Sequence, residues 1–137
     1  MKNILRIIGV LLAASAALVV IPNAPAQADN GCPGTRDSWR QYRDSAGTIA
    51  AVLQSYDTAD GVCINLVSKN QYAGVSKYMS LRVCDEARAN CVTDSGNFAS
   101  YAGPIYRSLP CVTVRSTMRA PNGTLIMDNW SIGGSCN

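Results

Sequence analysis

The chain has 137 residues, twelve Lys and Arg against nine Asp and Glu, no histidine, and 47% hydrophobic residues. Without histidine it cannot build Ser/His/Asp or Cys/His nucleophilic machinery or a histidine general base. Its basic residues are scattered and form no stripe for nucleic-acid phosphates, and its length suits one domain.

At the N-terminus, Lys2 and Arg6 precede the apolar run 7–21 and the small-residue site Ala26-Gln27-Ala28. This is the pattern of a secretory signal peptide, so residues 1–28 are expected to be removed and residues 29–137 to form a secreted, disulfide-stabilised β domain. The apolar run is shorter than the roughly 18 to 20 residues a membrane-spanning helix needs, and no integral membrane association is expected. Removing Lys2 and Arg6 leaves ten basic against nine acidic residues, a net charge of +1, so most of the basic excess belongs to the export signal.

The mature part reads as short β segments separated by turns. "RDSWRQYR" (36–43) fits a short strand carrying Trp39 and Tyr42, or one turn of helix. "GTIAAVLQSY" (47–56) and "GVCINLVSK" (61–69) flank "DTAD", with Gly61 placed for a tight connection. Val62, Ile64 and Leu66 alternate with Cys63, Asn65 and Val67; in "KYMSLRVC" (77–84), Met79, Leu81 and Val83 alternate with Tyr78, Ser80 and Arg82. "PCVTVRSTM" (110–118) and "TLIMDNWSI" (124–132) flank the turn signal "RAPNG". Six to seven short antiparallel strands with regular turns imply an all-β fold, a small sandwich or barrel.

All six cysteines, Cys32, Cys63, Cys84, Cys91, Cys111 and Cys136, fall in the mature part, which in an exported domain reads as three disulfides. Sequence alone does not choose among the pairings. Cys84 with Cys91 is the most easily defended, because it closes "CDEARANC" between two strand-like runs. Cys63 with Cys111, both in strand-like runs, and Cys32 with Cys136, both near the mature ends, complete one possible set.

No metal or cofactor is expected. The chain has neither a C-x-x-C pair nor histidine, and "DTADG" (57–61) and "DSGN" (94–97) depart from the twelve-residue calcium loop. Carboxylate catalysis would draw on Asp57, Asp60, Asp85, Glu86, Asp94 and Asp128, most of which fall in expected turns, where Asp is the default residue. The expectation is therefore a protein that is not an enzyme.

The stretch "DSGNFASYAGPIY" (94–106), followed by "PCVTV", resembles the D-x-G-N/S-Y-x-x-Y-A-G-P-V-Y run and later cysteine strand of the spore-associated protein A family of secreted actinobacterial proteins. The resemblance continues through "NGCPG", a "GTI" strand leading to "TADGVCINL", and a terminal cysteine near "WSIGG". It implies an exported protein of the cell or spore surface and brings no catalytic residue or cofactor. The family pattern has four cysteines, matched by Cys32, Cys63, Cys111 and Cys136; Cys84 and Cys91 are then an added pair, which again favours their bonding to each other.

Physically, this stretch fits an ordered crossing between hairpins. Asp94 and Ser95 can bond nearby backbone, Gly96 and Gly103 can take positive φ, Pro104 fixes the entry to the next strand, and Phe98, Tyr101 and Tyr106 pack the crossing onto the sandwich. A functional reading of the same residues makes Tyr101 and Tyr106, with Trp39 or Trp130, an aromatic platform for a sugar or polymer of the cell envelope or spore surface. The alternative is a protease inhibitor that offers Arg88-Ala89 on the loop pinned between Cys84 and Cys91. A charged, disulfide-closed hairpin tip is also an ordinary solubilising device. Nothing in the sequence selects a monomer over assembly through exposed strand edges.

Overall fold

The computed structural model describes residues 31–137; the expected signal segment 1–28 lies outside them. Strict alternation organises what is described. In β3 (Gly61–Ser68) Val62, Ile64 and Leu66 point into the core, and in β4 (Lys77–Cys84) Met79, Leu81 and Val83 do the same, all six with at most 1% exposure. The other strands are β1 (Thr35–Arg43), β2 (Ile49–Thr58), β5 (Val92–Phe98), β6 (Tyr101–Arg107), β7 (Cys111–Arg119) and β8 (Leu125–Gly134). They form two antiparallel four-stranded sheets, ordered β1-β2-β3-β6 and β5-β4-β7-β8. The result is a sandwich, not a closed barrel, and it has eight strands, not six or seven. The inner faces meet through Ala51, Leu53 and Ile64 on one side and Leu81, Val114 and Met118 on the other.

Residues 36–43 are strand, not helix: Trp39 lies opposite Gln54 and Tyr42 opposite Ala51. The two added strands, β5 and β6, occupy the stretch expected to be a crossing. The crossing itself shrinks to Ala99 and Ser100, which carry the chain from the second sheet to the first. Gly103 has φ 97°, as expected, and its amide donates to the Asp94 carboxylate at 2.7 Å. Gly96, by contrast, keeps an ordinary strand conformation opposite Met79.

This crossing is pinned from below. The Ser68 hydroxyl donates to the carbonyls of Ala99 and Ser100, and the Gly74 amide donates to Ala99. Lys77 is 2% exposed, and its ammonium donates to the carbonyls of Val75 and Ala99 at 2.9 Å and Phe98 at 3.4 Å. Burial pushes the Lys77 pKa down from its ordinary value. The unfolded chain then binds this proton more tightly than the folded one. The contribution of Lys77 to stability therefore rises with pH, from the lowered folded pKa up to the ordinary lysine value. Lys77→Met keeps the stem but strips a donor from three carbonyls, and is expected to destabilise the fold by about 1–2 kcal/mol in urea titrations. It should also remove the stabilising slope in the pH range just below the ordinary lysine pKa. An unchanged slope would show that Lys77 is not its source.

The disulfides are Cys32–Cys63, Cys84–Cys91 and Cys111–Cys136. The second is the expected pair; the set Cys63 with Cys111 and Cys32 with Cys136 is wrong. Cys63 alternates with core-facing Val62 and Ile64, so it points away from the second sheet, where Cys111 begins β7. The segment 31–34 runs over that outer face, where Cys32 and Cys63 pack with Tyr56. Cys111 lies opposite Gly134 across β7–β8, which brings Cys136 within reach at a Cα separation of 4.8 Å. Three disulfides are compatible with an extracellular protein. Among the described residues no helix is long and apolar enough to cross a membrane.

Candidate functional site on the outer face of the second sheet

The residues that alternate with the core positions of β4 and β7 face outward, and strand pairing lines them up. One row across the sheet reads Thr93, Arg82, Arg115, Trp130; the next reads Ser95, Ser80, Thr117, Asp128. All of these except Trp130, together with Tyr78 and Arg119, line a shallow depression of about 390 Å³. Each row crosses four strands, a width of about 14 Å at the usual strand spacing.

Arg115 meets Asp128 side-on: Nε donates to Oδ1 at 2.8 Å and Nη2 to Oδ2 at 2.7 Å, and the Thr117 hydroxyl also donates to Oδ1. The Arg115 guanidinium holds the Asp128 carboxyl below the usual carboxylate range. This is the one salt bridge among the described residues. Both partners are substantially exposed, so the pair orients Arg115 more than it stabilises the fold. Arg82 sits directly opposite Arg115 and has no salt bridge among the described residues. Like charges facing each other across a strand pair are unfavourable.

A third guanidinium comes from the Cys84–Cys91 loop. Arg88 lies 4.6 Å from the centroid of the Trp130 ring, and Arg115 lies 6.0 Å from it. The loop is a tight turn built on Asp85, whose carboxylate accepts from the Ala89 amide and the Asn90 side chain at 2.8 Å each. Arg107, extending from β6, donates to the carbonyls of Val83 and Asn90 and ties the loop to the sandwich.

Four aromatics were candidates for one platform, and the structure divides them. Trp130 lies on the second sheet, whereas Trp39, Tyr101 and Tyr106 belong to the first. Trp39 lies on β1 and the two tyrosines on β6, opposite edges of that sheet with β2 and β3 between them. Tyr106 also has a local task, donating its hydroxyl to the Gly31 carbonyl at the start of the arm that Cys32 anchors. Trp130 and Arg88, candidates for rival functions, instead touch each other. Arg88 adopts φ 60° and Asn90 φ 46°, so Arg88-Ala89 lies in a left-handed turn and is not an extended segment.

Arg82, Arg115 and Arg119 were not singled out from the sequence, although alternation in "KYMSLRVC" already turns Arg82 outward. What brings Arg82 against Arg115 is the pairing of β4 with β7, two strands that are not consecutive. Among the described residues no group of three or more His, Cys, Asp or Glu side chains could hold a metal ion.

No family model, curated protein or solved structure matches this chain. What the face can do follows from its side chains: guanidinium groups and hydroxyls, fixed on paired strands and open to solvent, can bind anions and sugar hydroxyls.

Proposed function

We propose that this is a non-catalytic, exported surface protein that binds a polymer of the cell envelope or spore surface, as its resemblance to the spore-associated protein A family implies. The observation that carries the reading is the row Thr93, Arg82, Arg115, Trp130, a line of polar and aromatic side chains across one open sheet face. Such a face suits an extended chain better than a small molecule, because the depression is broad and shallow. Disulfides support the reading by holding the supporting strands and the Arg88 loop in place outside the cell.

The inhibitor alternative is less favoured. A protease cleft takes an extended segment, whereas Arg88 is turned back onto Trp130. The test is co-sedimentation of the purified, oxidised protein with insoluble envelope and spore preparations from the producing culture. The protein is expected in the pellet; recovery wholly in the supernatant would reject surface binding. Inhibition of a trypsin-like protease that disappears in Arg88→Ala would put the inhibitor in its place.

A further inference from the structure

We infer that the outer face of the second sheet is a binding site for an acidic glycan, with a ligand carboxylate held between Arg82 and Arg115. The inference rests on the surface-binding reading and names the chemistry of the polymer. Charge is the first argument. The face and its flanking loop present Arg82, Arg88, Arg115 and Arg119, with Asp128 the one carboxylate lining the depression. In the loop, Arg88 stands against two carboxylates, Asp85, engaged by the Ala89 amide and the Asn90 side chain, and the exposed Glu86, so the loop adds a placed guanidinium but no net positive charge. The three arginines lining the depression outnumber its one carboxylate, a local excess of two positive charges against the +1 expected of the whole mature chain.

Geometry is the second argument. Arg115 uses Nε and Nη2 on Asp128, which fixes the plane of its guanidinium and leaves Nη1 for another acceptor. Arg82, the cross-strand neighbour, has no salt bridge among the described residues. An anion placed between the two would relieve their repulsion and receive charge-assisted hydrogen bonds from both. Trp130 holds Arg88 beside this pair, so the third cation is in place before the ligand arrives.

The hydroxyls select the kind of anion. Ser80, Ser95, Thr93 and Thr117 stand on the same face and match the hydroxyls of sugar rings. A single-stranded nucleic acid stacks successive bases on several open aromatic faces, whereas Tyr78 is the one aromatic lining the depression and Arg88 lies over the Trp130 ring. Carboxylate-bearing sugars therefore fit better than nucleotides or neutral glycans.

The experiment is calorimetric titration of the disulfide-intact protein, purified from an exporting host, with polygalacturonate. Dextran serves as the neutral control and polyphosphate as the alternative anion. Arg82→Gln is expected to keep the melting temperature and weaken polygalacturonate binding about tenfold or more. Arg36→Gln with Arg43→Gln, on β1 of the other sheet, should leave binding unchanged. Absence of polygalacturonate binding, equal binding of dextran, tighter binding of polyphosphate, or an equal loss in the β1 variant would each overturn the proposal. If envelope pelleting persists and ignores Arg82→Gln, the acidic-glycan site falls while surface binding stands; if pelleting is also absent, both fall.

Discussion

Gly103→Ala is expected to destabilise the protein by about 3 kcal/mol, because backbone strain and collision act together. Gly103 has φ 97°, a conformation that L residues rarely adopt, and an added Cβ would lie 2.9 Å from the Ile64 carbonyl oxygen and 3.0 Å from Leu81. Neither neighbour can yield easily. Ile64 belongs to the central strand β3, which pairs with β6 through an irregularity at this point, and Leu81 is fully buried in the facing sheet. The Gly103 amide also anchors Asp94, so any shift would loosen the crossing between the sheets. At roughly 4–8 °C per kcal/mol, the melting temperature should fall by about 15 °C, measured by circular dichroism. Gly96→Ala is the internal comparison. A Cβ there meets only the Phe98 ring, at an ordinary 3.4 Å, and the strand conformation is compatible with alanine. It should leave the melting point nearly unchanged, and equal effects at both glycines would sink this account of the motif.

The contrast between those glycines also shows what the sequence makes legible. Strands β3 and β4 are readable because each has one face buried against the opposite sheet, which imposes a two-residue period on Val62, Ile64, Leu66 and on Met79, Leu81, Val83. Strand β5 is not. It is an edge strand whose residues are all exposed or half-buried, so "VTDSGNF" carries no apolar period and its Asp, Gly and Asn imitate a turn. Strand β6 is hidden by Gly103 and Pro104, which sit where its pairing with β3 is irregular.

The disulfides follow the same logic. The β7–β8 hairpin is legible from its Asn-Gly turn, and its pairing sets Cys111 opposite Gly134, two residues from Cys136. Cys32 with Cys63 needed more, because only the fold shows the arm at 31–34 returning over the outer face of β3. The candidate site divides in a similar way. Outward placement of Arg82 and Trp130 and the hairpin pairing of Trp130 with Arg115 are local properties, whereas the meeting of Arg82 with Arg115 depends on the β4–β7 pairing and that of Trp130 with Arg88 on the loop that Cys84 and Cys91 close.

Removing Cys32–Cys63 should cost the most stability among the three disulfides, about 3–4 kcal/mol, because it closes the longest segment, with a sequence separation of 31. The double variant Cys32→Ala with Cys63→Ala also leaves the arm at 31–34 without its covalent tie to β3. The hydrogen bond from the Tyr106 hydroxyl to the Gly31 carbonyl is then too little to hold the arm in place. Cys84→Ala with Cys91→Ala should cost less, about 2 kcal/mol, since its separation is only 7. Binding should reverse that order. The arm covers the first sheet, far from Arg82, whereas the short loop places Arg88 over Trp130. Urea unfolding and polygalacturonate titration of the two variants separate stability from function. The Cys32/Cys63 variant is expected to lose stability and keep affinity, and the Cys84/Cys91 variant to keep most of its stability and lose affinity. Parallel losses would mean that the loop disulfide acts on the site only through global stability, and Arg88 would then have no place in the binding face.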